Sequence, residues 1–185
     1  MLKVDGIERS VPAAETMRRL ADVATSLGVT RLADITGLDR VGIPVYSSVV
    51  PKSDDVLSVY NGKGARRIDA QVGALMEAIE RQTVIRARPP SVQGSLADLR
   101  RSRVVLDPRD VNHKLAKDYS EDQVYSWIEA VNLVTSEPCW VPAKLAGYLW
   151  RDVPYPSCFQ SNDTHGLASG NCTLGTSLDV GEAEK

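Results

Sequence analysis

Glu77 and Glu80, with Gly73 ahead of them, are spaced i, i+4, i+7 in a stretch that reads as helix. At about 100° per residue the three share one face. Two carboxylates roughly one turn apart can hold a hard cation such as Mg2+, which prefers oxygen ligands and usually shares itself with nucleotide phosphates. A glycine at position 73 would let a second backbone or a ligand come close to the helix. The same spacing also describes an ordinary solvated helix face, with Glu77 and Arg81 as an i, i+4 ion pair. Upstream lies Asn61-Gly-Lys-Gly. A glycine-rich loop opening a helix can cradle phosphate through its N–H groups, with Lys63 as a point charge. The Walker A spacing is absent, and a plain turn accounts for the same residues.

Other reactive side chains are scattered. His165 sits in a polar, glycine-spaced stretch that reads as a loop, and His113 stands alone. Cys139, Cys158 and Cys172 have no CxxC partner, and two histidines with three separated cysteines do not make a zinc site. A Cys–His nucleophile pair has no support in the pattern. Trp127, Trp140 and Trp150 read as core or contact residues, since no basic run interleaves them as a nucleic-acid surface would require.

The elements that must position Glu77 and Glu80 follow from periodicity. Residues 66–88 read as a long helix, with Ile68, Val72, Leu75 and Ile79 as its apolar stripe and Pro89-Pro90 as its stop. The carboxylates fall roughly opposite that stripe. A first helix is expected over 12–27, from Pro12 to a stop at Gly28, with Met17, Leu20, Ala24 and Leu27 on its apolar side. Between the helices, 29–34 reads as a short strand or connector and 34–40 as a turn. Residues 41–50 read as a strand that Pro44 confines to an edge or makes start late. Val56–Tyr60 reads as a strand broken by Asn61-Gly-Lys-Gly. Further on, 96–101 is a helical turn, 124–134 a strand, and 137–142 a turn leading into Val141–Leu149. The fold class expected is α+β.

Bulk properties bound the function classes. The chain has 185 residues, 43% of them hydrophobic and 25% charged, with a net charge of −2. Those values suit a globular chain and give no global pull toward nucleic acid or an anionic membrane. The N-terminus has no signal-peptide h-region, and no apolar run approaches the ~20 residues of a membrane span. A cytoplasmic protein with free thiols is expected.

Three segments then occur in order: Ile35-Thr-Gly-Leu-Asp-Arg-Val-Gly-Ile-Pro-Val, Asn61-Gly-Lys-Gly, and Gly73-Ala-Leu-Met-Glu-Ala-Ile-Glu-Arg. Trp127-Ile-Glu, Trp140-Val-Pro-Ala and Gly166-Leu-Ala-Ser-Gly-Asn follow. Together they resemble the YcaO family, whose members carry a GKG loop and a helix reading SALxEAxER. The first segment is most similar to the members that work with a TfuA partner in forming peptide thioamides. The resemblance covers roughly residues 10–171 and implies ATP- and Mg2+-dependent phosphorylation of a peptide backbone amide, leading to an azoline or a thioamide. It implies that Glu77, Glu80 and Asn171 are metal ligands and that Gly73, Met76, Glu77, Glu80 and Asn171 contact the nucleotide. The family usually has Ser where Gly73 stands. The partners it implies are a peptide or protein substrate, a TfuA-like protein, and a second copy in a homodimer.

After Asn171 the resemblance fades. The family continues with a helix of the form NTxEEAxxxGxxExxER. Gly175 and Ala183 occupy two of its glutamate positions, and its last Glu and Arg fall past Lys185. The expectation is an N-terminal YcaO portion over 1–171 and a divergent, frameshifted or truncated tail over 172–185. Its activity would be impaired, or it would serve as a non-catalytic fragment that binds a peptide or a partner.

Overall fold

The computed structural model describes residues 10–87, 91–111, 119–146 and 168–171. The chain divides into two units, Met1–Arg86 with Thr164–Lys185, and Ala87–Asp163. His113, His165, Cys158, Cys172, Trp150 and the 172–185 tail lie outside the described residues.

In the first unit, α1 (Ala13–Ser26) starts directly after Pro12, as expected. The Pro12 carbonyl accepts from the Thr16 amide at 3.0 Å and from Thr16 Oγ1 at 3.2 Å. Gly28, at φ +91°, turns the chain out of the helix through the left-handed region that glycine adopts without a Cβ penalty. Strands β1 (Arg31–Asp34), β2 (Val45–Val49) and β3 (Val59–Lys63) form an antiparallel sheet in that order. A 3-10 turn at Thr36–Leu38 links the first two. β2 is central and begins right after Pro44, so the proline delays the strand and removes no ladder hydrogen bond.

α2 (Arg67–Arg86) lies across β2 and β3, with α1 packed along it. Its stripe against the sheet is Ala70, Ala74, Ala78, Arg81, Gln82 and Ile85, all buried. The sequence pattern pointed instead to Ile68, Val72, Leu75 and Ile79; of these Val72 and Leu75 are buried, while Ile68 and Ile79 are only partly covered. The sheet selects small side chains because the helix comes so close. Tyr46 fills the space beside Ala70 and Ala74, and Val50 and Tyr60 that beside Ala78.

β3 corrects a sequence expectation. Asn61, Gly62 and Lys63 are strand residues paired with Ser47, Tyr46 and Val45, not a loop. A Cβ on Gly62 would stand 2.0 Å from the Ala74 nitrogen and 2.3 Å from the Ala70 oxygen. The glycine is there so that a helix can pass, which is a packing role.

The second unit holds β4 (Ser91–Gly94), α3 (Leu96–Leu99), α4 (Pro108–Val111), β5 (Tyr125–Val131), β6 (Pro138–Pro142) and α5 (Ala143–Ala146). Its sheet is antiparallel in the order β4-β5-β6. The sequence pattern did not mark β4, and read β6 as a turn. Both prolines of β6 sit at its ends, and the strand lies at the sheet edge, where prolines are tolerated. The core is Leu96, Leu99, Tyr125 and Trp127, with Trp140 packed against it. Trp127 Nε1 donates to the Gly94 carbonyl at 2.9 Å. Buried Asp107 is clasped by Arg109 at 2.6 Å and Arg100 at 2.8 Å. These guanidiniums, Arg109 first, hold its carboxyl well below the usual range against the opposing effect of burial. Lys144 is buried, which pushes its ammonium pKa down. Cys139 is a free, half-buried thiol.

The result is the α+β class expected. Among the described residues no helix is long and apolar enough to cross a membrane.

Candidate functional site

The part of α2 not taken up by the sheet is where the candidate residues lie. Glu77 is exposed, and Gly73, Met76 and Glu80 are half-buried. Ala70, Ala74 and Ala78 take the strands, and Gly73, Glu77 and Glu80 fall on the flank of that stripe, so they border the sheet contact. Gly73 stands at the rim of the close approach. A Cβ there would lie 3.4 Å from Gly62 Cα, an ordinary contact, so position 73 has room for a Cβ. The expected Glu77–Arg81 ion pair does not form. Arg81 turns to the sheet side and makes two hydrogen bonds to Asp55, at 2.9 and 3.1 Å.

The short segment 168–171 reaches both helices of this unit. Ser169 Oγ donates to the Met76 carbonyl at 3.3 Å. Asn171 Nδ2 donates to Thr16 Oγ1 at 3.1 Å. Thr16 gives its own proton to the Pro12 carbonyl, so its oxygen meets Asn171 as an acceptor and fixes which end of the amide turns toward it. Asn171 Oδ1 is then the end directed away from Thr16. The structure thus gathers Gly73, Met76, Glu77 and Glu80 on one helix face, and pins Asn171 through α1.

Thr16 and Ser169 were not singled out as site residues in the sequence. The signal for Thr16 was its place one turn before Leu20, where the apolar pattern calls for a hydrophobe; a buried hydroxyl there needs a partner. Ser169 lay inside the Gly166–Asn171 motif without a role.

Among the described residues, no three His, Cys, Asp or Glu side chains converge as a metal cluster. The candidate donors expected from the sequence, Glu77, Glu80 and Asn171, are two carboxylates and a carboxamide oxygen. All are hard oxygen ligands, the chemistry that suits Mg2+ held jointly with phosphates.

The family model described as YcaO cyclodehydratase, ATP- and Mg2+-binding, matches residues 61–175, more than half of the chain. The chain belongs to the YcaO family. The match begins within β3 and takes in α2 and Asn171. An uncharacterized protein of Methanothermobacter thermautotrophicus is 36% identical over 175 residues, covering 88% of this YcaO chain and 42% of that protein. An uncharacterized protein in the tfuA 3' region of Rhizobium leguminosarum bv. trifolii is 30% identical over 164 residues, covering 89% of this chain and 38% of that one. This chain therefore spans about two fifths of the curated relatives it matches. Among solved structures, YcaO from Methanopyrus kandleri bound with AMPPCP and Mg2+ superposes with a TM-score of 0.70 at 27% identity, over 97% of this chain and 44% of that one.

Proposed function

We propose that this chain supplies the α2 side of a Mg2+–ATP site used to phosphorylate a peptide backbone amide, on the way to an azoline or a thioamide. The observation that carries the reading is one face of α2, on which Glu77 is exposed and Gly73, Met76 and Glu80 are half-buried. Ser169 is tied to the Met76 carbonyl of the same helix, and Asn171 to Thr16 of α1. The neighbour from Methanopyrus kandleri, solved with AMPPCP and Mg2+, supports the choice of ligand.

In this reading Glu77 and Glu80 hold the cation with the Asn171 carboxamide oxygen, and Gly73 and Met76 lie against the nucleotide. Bound Mg2+ offsets triphosphate charge during transfer to the amide oxygen, which then becomes a good leaving group. The protein's own contribution is placement. Thr16 orients Asn171, and Ser169 holds its segment to the Met76 carbonyl. Glycine in place of the usual serine at 73 removes one hydroxyl from the nucleotide side.

Titration calorimetry with AMPPCP tests this. Binding should require Mg2+, and Glu77→Ala should abolish it while the circular dichroism spectrum stays unchanged, because Glu77 is exposed. Binding that ignores both Mg2+ and Glu77→Ala, or no binding at all, would sink the assignment.

A second reading, a TfuA-like partner, is supported by the tfuA-region relative and by Leu38, Val41 and Ile43, which are 82%, 71% and 51% exposed just before β2. Contiguous exposed apolar groups mark contact sites. Co-sedimentation with a TfuA-like protein should be lost in Leu38→Asp; co-sedimentation unaffected by Leu38→Asp, or none with the parent, removes this reading.

A further inference from the structure

Alanines 70, 74 and 78 and Gly62 let α2 and β3 approach closely, and at that distance the bearing of every other α2 side chain depends on the turn of the helix about its own axis. Such a turn matters for Glu77 and Glu80. With side chains a helix is about 10–12 Å across, so a turn of about 20° carries a carboxylate roughly 2 Å. That is comparable to a whole Mg2+–oxygen distance of about 2.1 Å.

Directional polar contacts bear on that turn. Arg81 Nε donates to Asp55 Oδ2 at 2.9 Å and its Nη2 to Oδ1 at 3.1 Å. The two side chains are 9% and 0% exposed. A bidentate guanidinium–carboxylate pair fixes plane as well as distance. Tyr60 OH donates to the same Asp55 Oδ2 at 3.0 Å, and Gln82 Nε2 donates to Tyr60 OH at 2.9 Å and to Ser53 Oγ at 2.6 Å. Arg81 and Gln82 follow directly on Glu80 and lie about one turn beyond Glu77. Nearer the start of the helix, Ser48 Oγ donates to the Ala74 carbonyl at 2.6 Å. The Asp55 loop thus grips α2 through the two residues that directly follow Glu80.

We propose that the Asp55–Arg81 pair, completed by Tyr60 and Gln82, is a positioning device that sets the rotation of α2 so that Glu77 and Glu80 converge on one divalent cation. This rests on the metal–nucleotide reading above. Arg81 and Asp55 touch neither metal nor nucleotide; they act through the helix.

The test compares the chain with Asp55→Asn and Arg81→Lys, and with Leu32→Ala as a variant that loosens the sheet core away from this network. Mn2+ binding in the presence of AMPPCP is read by electron paramagnetic resonance, and residual dipolar couplings of α2 and β3 amides are read without metal. Both network variants should turn α2 relative to β3 and weaken Mn2+ about 10- to 100-fold, the range that outer partners of metal ligands command. Leu32→Ala should lower the unfolding midpoint and leave Mn2+ affinity alone. Unchanged couplings overturn the proposal, as does a turned helix that binds Mn2+ like the parent, or an equal loss in Leu32→Ala. If the parent itself fails to bind, or Glu77→Ala binds as well as the parent, the site reading falls and this device falls with it. Intact Glu77 dependence with unaffected Asp55→Asn removes the device alone.

Discussion

Gly62 lies beneath Ala74 so closely that a Cβ on the strand would stand 2.0 Å from the helix nitrogen. The obstruction is backbone on both sides, so neither partner can swing away. Gly62→Ala is expected to cost about 3 kcal/mol or more, the upper part of the range for overpacking, seen as a lower urea midpoint. Gly73→Ser behaves oppositely. Its Cβ meets nothing nearer than 3.4 Å, and serine is the better helix former by roughly 0.5 kcal/mol, so stability should hold or rise slightly. In the proposed function the same change restores a nucleotide contact, and AMPPCP affinity should increase.

Thr16→Val removes the hydroxyl that joins Pro12, α1 and Asn171. The side chain is buried, and the loss should be about 1–2 kcal/mol by chemical denaturation. Asn171→Ala loses only the outer half of that chain from an exposed residue and should cost less than about 1 kcal/mol. A larger effect at Asn171 than at Thr16 would contradict this order.

In the second unit Leu96 is fully buried among Leu99, Tyr125 and Trp127. Leu96→Ala should destabilise by about 3 kcal/mol through lost burial and the cavity left behind. Val124, 61% exposed one residue before β5, serves as the contrast; Val124→Ser should stay within about 0.5 kcal/mol. Urea unfolding followed by tryptophan fluorescence reads both, since Trp127 is in the affected cluster.

Asp107 makes stability depend on acid. Its folded carboxyl is held below the usual carboxylate range by Arg109 and Arg100, so the folded state prefers it ionised more strongly than the unfolded chain does. Its contribution is therefore complete above the unfolded value near 4 and drains away as pH falls below it. Urea midpoints should drop between about pH 5 and pH 2. Asp107→Asn should start lower at neutral pH and show a shallower decline. An identical slope in the variant would assign the acid sensitivity elsewhere, with Asp34 the next group to examine, since Thr36, Tyr46 and Arg67 also hold its carboxyl down.

Local chemistry in the sequence was enough to find α1, α2 and the start of β2, because Pro12, Gly28 and Pro44 act on neighbouring backbone. It was also enough to put Gly73, Glu77 and Glu80 on one helix face. It failed where the deciding partner is distant. Asn61-Gly-Lys-Gly has the composition of a turn, and only the proximity of Ala70 and Ala74 shows why glycine is needed within a strand. Arg81 had a plausible partner one turn away in Glu77, yet its partner is Asp55, 26 residues back. The apolar stripe of α2 was misplaced for the same reason: a close sheet prefers alanine to isoleucine. Pro138 and Pro142 hid β6, since a strand whose ends carry prolines has the composition of a turn.

The contacts of Ser169 and Asn171 bridge 93 and 155 residues of chain. Because closure entropy grows only with the logarithm of loop length, the longer span adds roughly 0.5 kcal/mol over the shorter. Order of arrival matters more. On a ribosome adding about 5–20 residues per second, Asn171 is made roughly 4–17 s after Arg86. Helices and hairpins form in microseconds, so α1, the sheet and α2 have ample time to assemble with Thr16 and the Met76 carbonyl still facing water. Segment 168–171 is thus added to helices and a sheet that are already in place, and in the finished chain a local opening there can release Ser169 and Asn171 while Gly62 and Ala74 stay packed.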